Sequence, residues 1–182
     1  MAREIKVVQY HYIWPELYKR EKTILESIFG KLILDIHHFG STSIKGMSAK
    51  PIIDIMVIVE NIDLIDNYNE LMIEKGYIPR GENGINERRY FIKLNPDNSG
   101  NHTCHIHIYQ KGNQHITDEL MFRDYLEVDA ESFKEYEKIK IKAARHYRHS
   151  PRAYVDAKCN CIKKIMEKAR QYYIKIKQNK SR

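Results

Sequence analysis

The sequence predicts an α/β domain, and two features of the chain carry that prediction. Two short runs of apolar and β-branched residues, at 31–39 and 51–59, are separated by a polar connection, which is typical of strands in a buried sheet. Longer segments repeat apolar residues at three- and four-residue spacing, which is typical of amphipathic helices. Since 182 residues suit one domain with a sizeable core, we expect residues 1–182 to form a single unit.

Helices and strands are predicted to alternate over residues 1–112, the α/β core. Pro15 suits the first turn of the first helix and Gly30 suits its end, while residues 4–10 fit an edge strand or an extended arm. In chain order we expect a helix from Trp14 to Gly30, strands over 31–39 and 51–59, a helix over 63–75, a loop over 77–86, and a hairpin of strands over 88–94 and 103–109 joined by a turn over 95–101.

Residues 113–178 are predicted to form three helices. The apolar spacing favours helices over 115–126, 132–149 and 151–177, the second of them starting with a capping box at Ser132–Glu135. The last residues, 179–182, are expected to be a frayed tail. The whole segment is an extension packed onto the α/β core.

The composition predicts where in the cell the protein is found and which class of ligand it binds. The chain carries 31 Lys and Arg against 24 Asp and Glu, a formal charge of +7, which favours anionic ligands such as nucleotides, other phosphorylated compounds or RNA. Much of the excess lies in the last twenty residues, where a basic helix face is most often solvated surface. No run is long and apolar enough for a membrane span, and residues 1–6 lack the apolar core of a signal peptide, so we expect a cytoplasmic protein. The oligomeric state is not predicted.

A glycine followed by three hydroxyl residues connects the first two strands. Gly40 allows a sharp turn after the first strand, and Ser41, Thr42 and Ser43 bring hydroxyl and backbone N–H groups together. Such a cluster suits a phosphate if a turn or helix begins there. We therefore expect Gly40–Ser43 to bind phosphate, with Lys50 near the next strand as a further contact or as plain solvated charge.

Asp54 is the single acid inside the apolar run 51–59. A carboxylate in a buried strand is costly unless something compensates its charge. A bound divalent cation is one compensation, and hydrogen bonds from the Ser41–Ser43 turn are the other. Both interpretations remain open on these residues alone.

Histidines form the second candidate cluster. His105 and His107 are two apart on a predicted strand, so their rings share one face, and His38 beside Gly40 could join them and Asp54. A set of imidazoles with one carboxylate suits Zn²⁺, Mn²⁺ or Fe²⁺ better than Mg²⁺. The alternative is that His105 and His107 are hydrogen-bonded core or rim residues, or general acid–base groups without a metal.

Arg88 and Arg89 are adjacent on a predicted strand. Because neighbouring side chains of a strand point to opposite faces, at most one of them can face Asp54. A guanidinium there would suit a triphosphate through its forked donors.

Several stretches together resemble the GrpB family, which is similar in its core to the nucleotidyltransferase superfamily. They are Trp14–Leu17, Gly40–Thr42, Lys50–Ile55, His105–Ile108 and Phe122–Leu126, in the expected order from about residue 5 to about residue 160. The resemblance implies a mixed sheet with flanking helices, a Gly-Ser loop, an Asp-x-Asp pair for two metal ions and a third acid on a neighbouring strand.

The chain departs from that pattern at Met56. Alternation places Met56 on the same face as Asp54, so a thioether stands where the resemblance implies a metal-bridging carboxylate. Hard cations gain little from sulfur. The third acid also has no clear position, because the expected neighbouring strand carries His105 and His107.

These observations lead to one leading hypothesis and two alternatives. The leading hypothesis is a nucleotidyltransferase-like protein with a nucleoside triphosphate at Gly40–Ser43, a divalent metal such as Mg²⁺ or Mn²⁺, with Zn²⁺ also possible, and Arg88 or Arg89 on the phosphates. Its predicted catalytic residues are Asp54, His105 and His107, and its predicted metal ligands are Asp54, His38, His105 and His107. The alternatives are a nucleotide- or metal-binding module that has lost its chemistry, and a basic RNA-binding accessory protein.

Overall fold

A computed structural model describes residues 4–97 and 99–180, without the side chain of Lys180. In chain order the elements are α1 (Trp14–Phe29), β1 (Ile33–Phe39), β2 (Ile53–Val59), a 3₁₀ helix (Ile62–Tyr68) continued by α2 (Asn69–Glu74), β3 (Tyr77–Pro79), β4 (Arg88–Leu94), β5 (His102–Gln110), α3 (Gln114–Val128), α4 (Ala130–His146) and α5 (Pro151–Lys180).

Five strands form one mixed sheet within the described residues. Their order is β1-β2-β5-β4-β3; β2 and β5 are parallel, and every other neighbouring pair is antiparallel. The register sets Asp54 between Phe39 on β1 and His105 on β5, and Met56 between His37 and His107. The prediction of a mixed sheet with flanking helices and a helical extension is confirmed.

The main core lies on the face of the sheet that α1 covers. Alternate residues of β2, Ile53, Ile55, Val57 and Val59, are buried there, because a strand presents every second side chain to the same face. α1 contributes Trp14, Leu25, Ile28 and Phe29. This face is closed by apolar packing, so a polar site must lie on the other one.

The opposite face carries a smaller apolar patch and meets the C-terminal helices. Phe39, Met56 and Tyr109 are buried together there, next to Ile116 and Leu120 of α3. A separate core joins the helices to the connection between β1 and β2; its buried members are Ile44, Met47, Tyr125, Leu126, Tyr136, Cys161, Ile165 and Ala169. The connection that carries Gly40–Ser43 is therefore fixed between the sheet and α3–α5.

Several predicted boundaries were wrong. The segment 63–75 begins as a 3₁₀ helix, and residues 77–79 of the predicted loop form the edge strand β3. The predicted capping box at Ser132 is absent, because Asp129 is the N-cap: its carboxylate accepts the Ser132 N–H at 2.7 Å, and α4 starts at Ala130. α5 continues to Lys180, so residues 179 and 180 are helical, while residues 181 and 182 of the predicted tail lie outside the described residues.

The N-terminal segment is an extended arm. The Ile5 N–H donates to the Arg148 carbonyl at 2.8 Å, and Val8 forms an isolated antiparallel bridge with Ala49. Residues 1–3 and Asn98, part of the predicted turn over 95–101, lie outside the described residues. No helix within 4–97 and 99–180 combines the length and apolarity that a bilayer crossing requires.

Candidate functional site

A cavity of about 670 Å³ lies between the polar end of the sheet and helices α3–α5. The sheet contributes Asp54, Arg88, His105 and His107, and the connection after β1 contributes Gly40–Thr42. The volume is that of an ordinary small-molecule site. Most of the predicted site residues therefore border one space.

Gly40 and Asp54 are in direct contact. Gly40 has φ +67°, and a Cβ at this position would lie 2.6 Å from Asp54 Oδ2. The turn that Gly40 begins is closed by Ser43, whose hydroxyl donates to the Gly40 carbonyl at 2.7 Å. The glycine is required both for its left-handed conformation and for the close approach of the carboxylate.

The hydroxyl residues of this turn differ in what they contact. Thr42 is buried; its hydroxyl donates to the Ile52 carbonyl at 3.1 Å and lies 3.1 Å from His38 Nε2. Ser41 lies beside the hydroxyl of Tyr136 on α4, and both residues border the cavity. Thr42 thus holds the turn to β2, whereas Ser41 is on the cavity side.

Asp54 is linked to two histidines in a row. Its Oδ1 lies 3.0 Å from His105 Nδ1, and His105 Nε2 lies 2.8 Å from His102 Nδ1. Burial raises the pKa of Asp54, but the hydrogen bond and charge of His105 outweigh it and leave this pKa below its usual value. The carboxylate is thus ionised at neutral pH, with 27% of its side chain exposed.

His107 contacts Arg88 instead of the carboxylate. Its Nδ1 lies 3.3 Å from Arg88 Nη1, and burial lowers its pKa to about 3, with Arg88 adding to the effect. His107 is therefore neutral at physiological pH. Asp54, His105 and His107 nevertheless offer ligand atoms within 4.8 Å of one another, the one such group of three among the described residues.

His38 is not part of that group. Its ring stacks on Tyr18 of α1 at 4.8 Å, and its Nε2 faces Thr42. Burial lowers its pKa to about 4, with Asp54 opposing and Arg123 adding to the effect. The reason is the register: Phe39, not His38, pairs with Asp54, so the His38 ring points to the α1 face.

The two neighbouring arginines are separated as alternation predicts. Arg88 is buried and borders the cavity. Arg89 points away from it, and its guanidinium binds the carboxylate of Asp66 at 2.7 and 2.8 Å and that of Asp63 at 3.4 Å. The structure brings Arg88 to the site and leaves Arg89 on the opposite face.

Three lysines also line the cavity: Lys50 from the connection between β1 and β2, Lys140 from α4 and Lys158 from α5. Lys50 and Lys158 lie 5.3 and 4.4 Å from the ring centroid of Tyr154. Lys140 is 1% exposed and donates to the Ser48 carbonyl at 2.6 Å. Burial, with a neighbouring lysine adding to the effect in each case, lowers the pKa of Lys140 to about 7 and that of Lys158 to about 8.

Sequence reasoning missed the lysines of the helices and one acid. Lys140 and Lys158 occupy positions within the apolar stripes of α4 and α5, four residues after Tyr136 and Tyr154, which is the signal that could have revealed them. Glu119 of α3 also borders the cavity, and burial together with Asp54 raises its pKa to about 7. No local pattern distinguishes Glu119 from a surface acid.

The side chains around Asp54 can be compared with the ligands that divalent ions prefer. One carboxylate and the His105 imidazole suit Mn²⁺ or Zn²⁺. Met56 is 0% exposed and packs with Phe39 and Tyr109, so it offers no oxygen beside Asp54. The residues present therefore fit one ion on Asp54, and β2 does not supply the carboxylate pair that would hold two.

Comparison with known proteins identifies the family. The chain is 40% identical over 171 residues to UPF0157 protein YqkA of Bacillus subtilis, covering 93% of this chain but 48% of YqkA, so it spans about half of that relative. It is 33% identical to Glutamate-rich protein GrpB of Alkalihalophilus pseudofirmus, with 90% and 94% covered. The crystal structure of conserved protein GrpB from Enterococcus faecalis superposes with a TM-score of 0.85 at 36% identity, covering 92% of this chain and 99% of that one. The family model described as GrpB protein matches residues 4–168, and the chain therefore belongs to the GrpB family.

Proposed function

We propose that this protein binds a nucleoside triphosphate, with one divalent ion on Asp54 and His105, and transfers its nucleotidyl group to an acceptor with release of pyrophosphate. The observation that carries the proposal is the contact between Gly40 and Asp54 at the mouth of the cavity. An ionised carboxylate beside a hydroxyl turn can hold an ion that also binds a phosphate oxygen. The ion would supply positive charge to the phosphates during transfer.

The charge of the cavity supports a phosphorylated ligand. Among the described residues that line it, basic side chains outnumber acidic ones by six to three. The basic ones are Lys50, Arg88, Arg123, Lys140, Lys158 and Arg170, and the acidic ones are Asp54, Asp118 and Glu119. Cations gathered in a partly buried site attract anions more strongly than the same charges on open surface.

Each group would act at a different point of the ligand. Gly40–Thr42 of the turn would receive one phosphate next to Asp54, and Lys50 and Lys158 would receive the more distant ones, while Ser43 closes the turn and does not line the cavity. Before the ion binds, His105 would orient Asp54 through their 3.0 Å contact, and His107 would be held in place by Arg88. The Tyr154 ring would keep both lysines on the cavity side.

Calorimetric titration of the four nucleoside triphosphates, with and without Mn²⁺ or Mg²⁺, tests the proposal on wild-type protein and Asp54→Asn. We expect metal to strengthen binding of at least one nucleotide about tenfold or more in the wild type, and Asp54→Asn to lose that gain while retaining metal-independent binding to the lysines. The asparagine is nearly isosteric, so the Gly40 contact is preserved.

Three results would overturn the proposal. Equal metal-supported binding by Asp54→Asn would exclude Asp54 as a ligand of the ion. Nucleotide binding that never depends on metal would favour a binding module that has lost its chemistry, consistent with the buried Met56. Retention of RNA alone, with a steep dependence on salt, would favour the accessory RNA-binding protein.

A further inference from the structure

Arg88 is held in a fixed position beside the candidate metal ligands. It is 4% exposed, and its Nε and Nη2 donate to the Glu82 carbonyl at 3.2 and 3.1 Å. Nη2 also donates to the Asn83 carbonyl at 3.0 Å, and the guanidinium lies 4.8 Å from the Tyr90 ring centroid. These partners are neutral and orient Arg88 at the border of the cavity, where its charge also acts on the carboxyl group of Glu119 and opposes the rise in the pKa of that group.

The contact with Arg88 determines whether a nitrogen of His107 can bind a cation. A guanidinium has N–H donors and no acceptor, so the Nδ1 of His107, 3.3 Å from Nη1, must be the acceptor. The ring hydrogen is then on Nε2. Neither nitrogen of His107 has a lone pair free for a cation while Arg88 stays in place.

His105 is arranged differently. Its Nδ1 faces an oxygen of Asp54, and its Nε2 faces His102 Nδ1. In the absence of an ion Nδ1–H donates to the ionised carboxylate; if the ring hydrogen moves to Nε2 and donates to His102, Nδ1 is free to bind an ion together with Asp54. Histidines that bind metals usually donate their second N–H to such a partner.

The register divides the donors into two rows across the sheet. One row contains Asp54 and His105, which face each other on β2 and β5. The next row contains Met56 and His107, the first without an oxygen and the second occupied by Arg88. Among the side chains of these two rows, ligands for a cation are therefore confined to the first, and a permanent positive charge borders the second.

We propose that Arg88 is a built-in cation that keeps His107 from binding the divalent ion, so that the ion on Asp54 and His105 has a single imidazole ligand, and that Arg88 itself provides a second positive charge to a bound phosphate. The phosphate part rests on the proposed function. The single imidazole ligand does not, since it follows from the contact between Arg88 and His107.

Pulsed electron paramagnetic resonance with Mn²⁺ tests the inference, because it counts the imidazole nitrogens bound to the ion. We expect one Mn²⁺ per chain and one imidazole in the wild type, unchanged in His107→Gln and lost in His105→Gln. Arg88→Gln should bind Mn²⁺ about tenfold more tightly and show a second imidazole, because a like charge has been removed and His107 released. Arg88→Lys keeps the charge and should still show one imidazole.

The neighbouring arginine supplies a matched control. Arg89→Gln removes the same charge one residue along β4, but on the opposite face and from an exposed pair with Asp66, so its Mn²⁺ signal should equal that of the wild type. Thermal unfolding of each variant identifies any that fails to fold. If Arg88→Gln does not fold, His107→Gln and Arg88→Lys still test whether His107 is absent from the ligands of the ion.

The inference is overturned by two imidazoles in the wild type, by loss of the signal in His107→Gln, by an unchanged signal in folded Arg88→Gln, or by no Mn²⁺ binding at all. Added inorganic pyrophosphate should tighten Mn²⁺ binding in the wild type and much less in Arg88→Gln, and equal tightening would refute the role of Arg88 on phosphate. A one-imidazole site without any nucleotide transfer would support the inference while the proposed transfer activity fails.

Discussion

Replacing Gly40 by alanine is expected to reduce metal-supported nucleotide binding more than a hundredfold and to destabilise the fold by about 1–3 kcal/mol. The new Cβ would lie 2.6 Å from Asp54 Oδ2 and 3.1 Å from its Cβ and Cγ, so the turn and the carboxylate must move apart. The position also has φ +67°, which costs any L side chain energy. Calorimetric titration and thermal unfolding measure the two effects.

Gly46 provides the control for that substitution. It lies in the same connection with φ +84°, but a Cβ there would meet nothing within 4 Å. Gly46→Ala should therefore show the cost of the backbone conformation without the loss of binding. If both variants lose binding equally, or if Gly40→Ala binds as the wild type does, the contact between the turn and Asp54 is not what makes the site.

The second large effect is expected from Lys158. Burial and Lys50 lower its pKa to about 8, with Asp54 opposing, so at pH 8.5 it is mostly neutral in the free protein. A bound phosphate would favour the charged form and raise this pKa, so binding at pH 8.5 should take up a fraction of a proton and be weaker than at pH 7. Lys158→Gln should weaken binding at pH 7 about tenfold and reduce the proton uptake at pH 8.5 to the part that Lys140 contributes.

Proton uptake is measured by titrating triphosphate in buffers of different ionisation enthalpy. Lys163→Gln is the matched control, because Lys163 is on the same helix and exposed. It should leave both affinity and proton uptake unchanged. The same loss in both variants would mean that general positive charge, rather than the lysines of the cavity, attracts the ligand.

The elements that could be predicted are those with a strong local signal. Two local patterns can be recognised in the sequence: an acid inside an apolar run, and a glycine before three hydroxyl residues. The sheet brings Gly40 and Asp54 together. Alternation along a strand likewise correctly assigned Arg88 and Arg89 to opposite faces. The alternation of side chains along a strand is therefore enough to predict which face of the sheet a side chain occupies.

The remaining features depend on tertiary packing that no local pattern encodes. The face of His38 follows from the register of β1 against β2, which pairs Phe39 with Asp54 and turns His38 toward Tyr18. Lys140 and Lys158 reach the cavity only because α4 and α5 fold back over the connection after β1. Which nitrogen of His107 carries the ring hydrogen depends on the position of the Arg88 guanidinium in the folded protein.

Crystals grown with Mn²⁺ and a non-hydrolysable triphosphate analogue give the most direct test of the central claim, because the anomalous signal locates the ion. We expect one Mn²⁺ peak about 2.2 Å from an oxygen of Asp54 and from His105 Nδ1, shared with a phosphate oxygen lying against Gly40–Ser43. A peak bound elsewhere, or a triphosphate seated in the cavity with no ion on Asp54, would contradict the account.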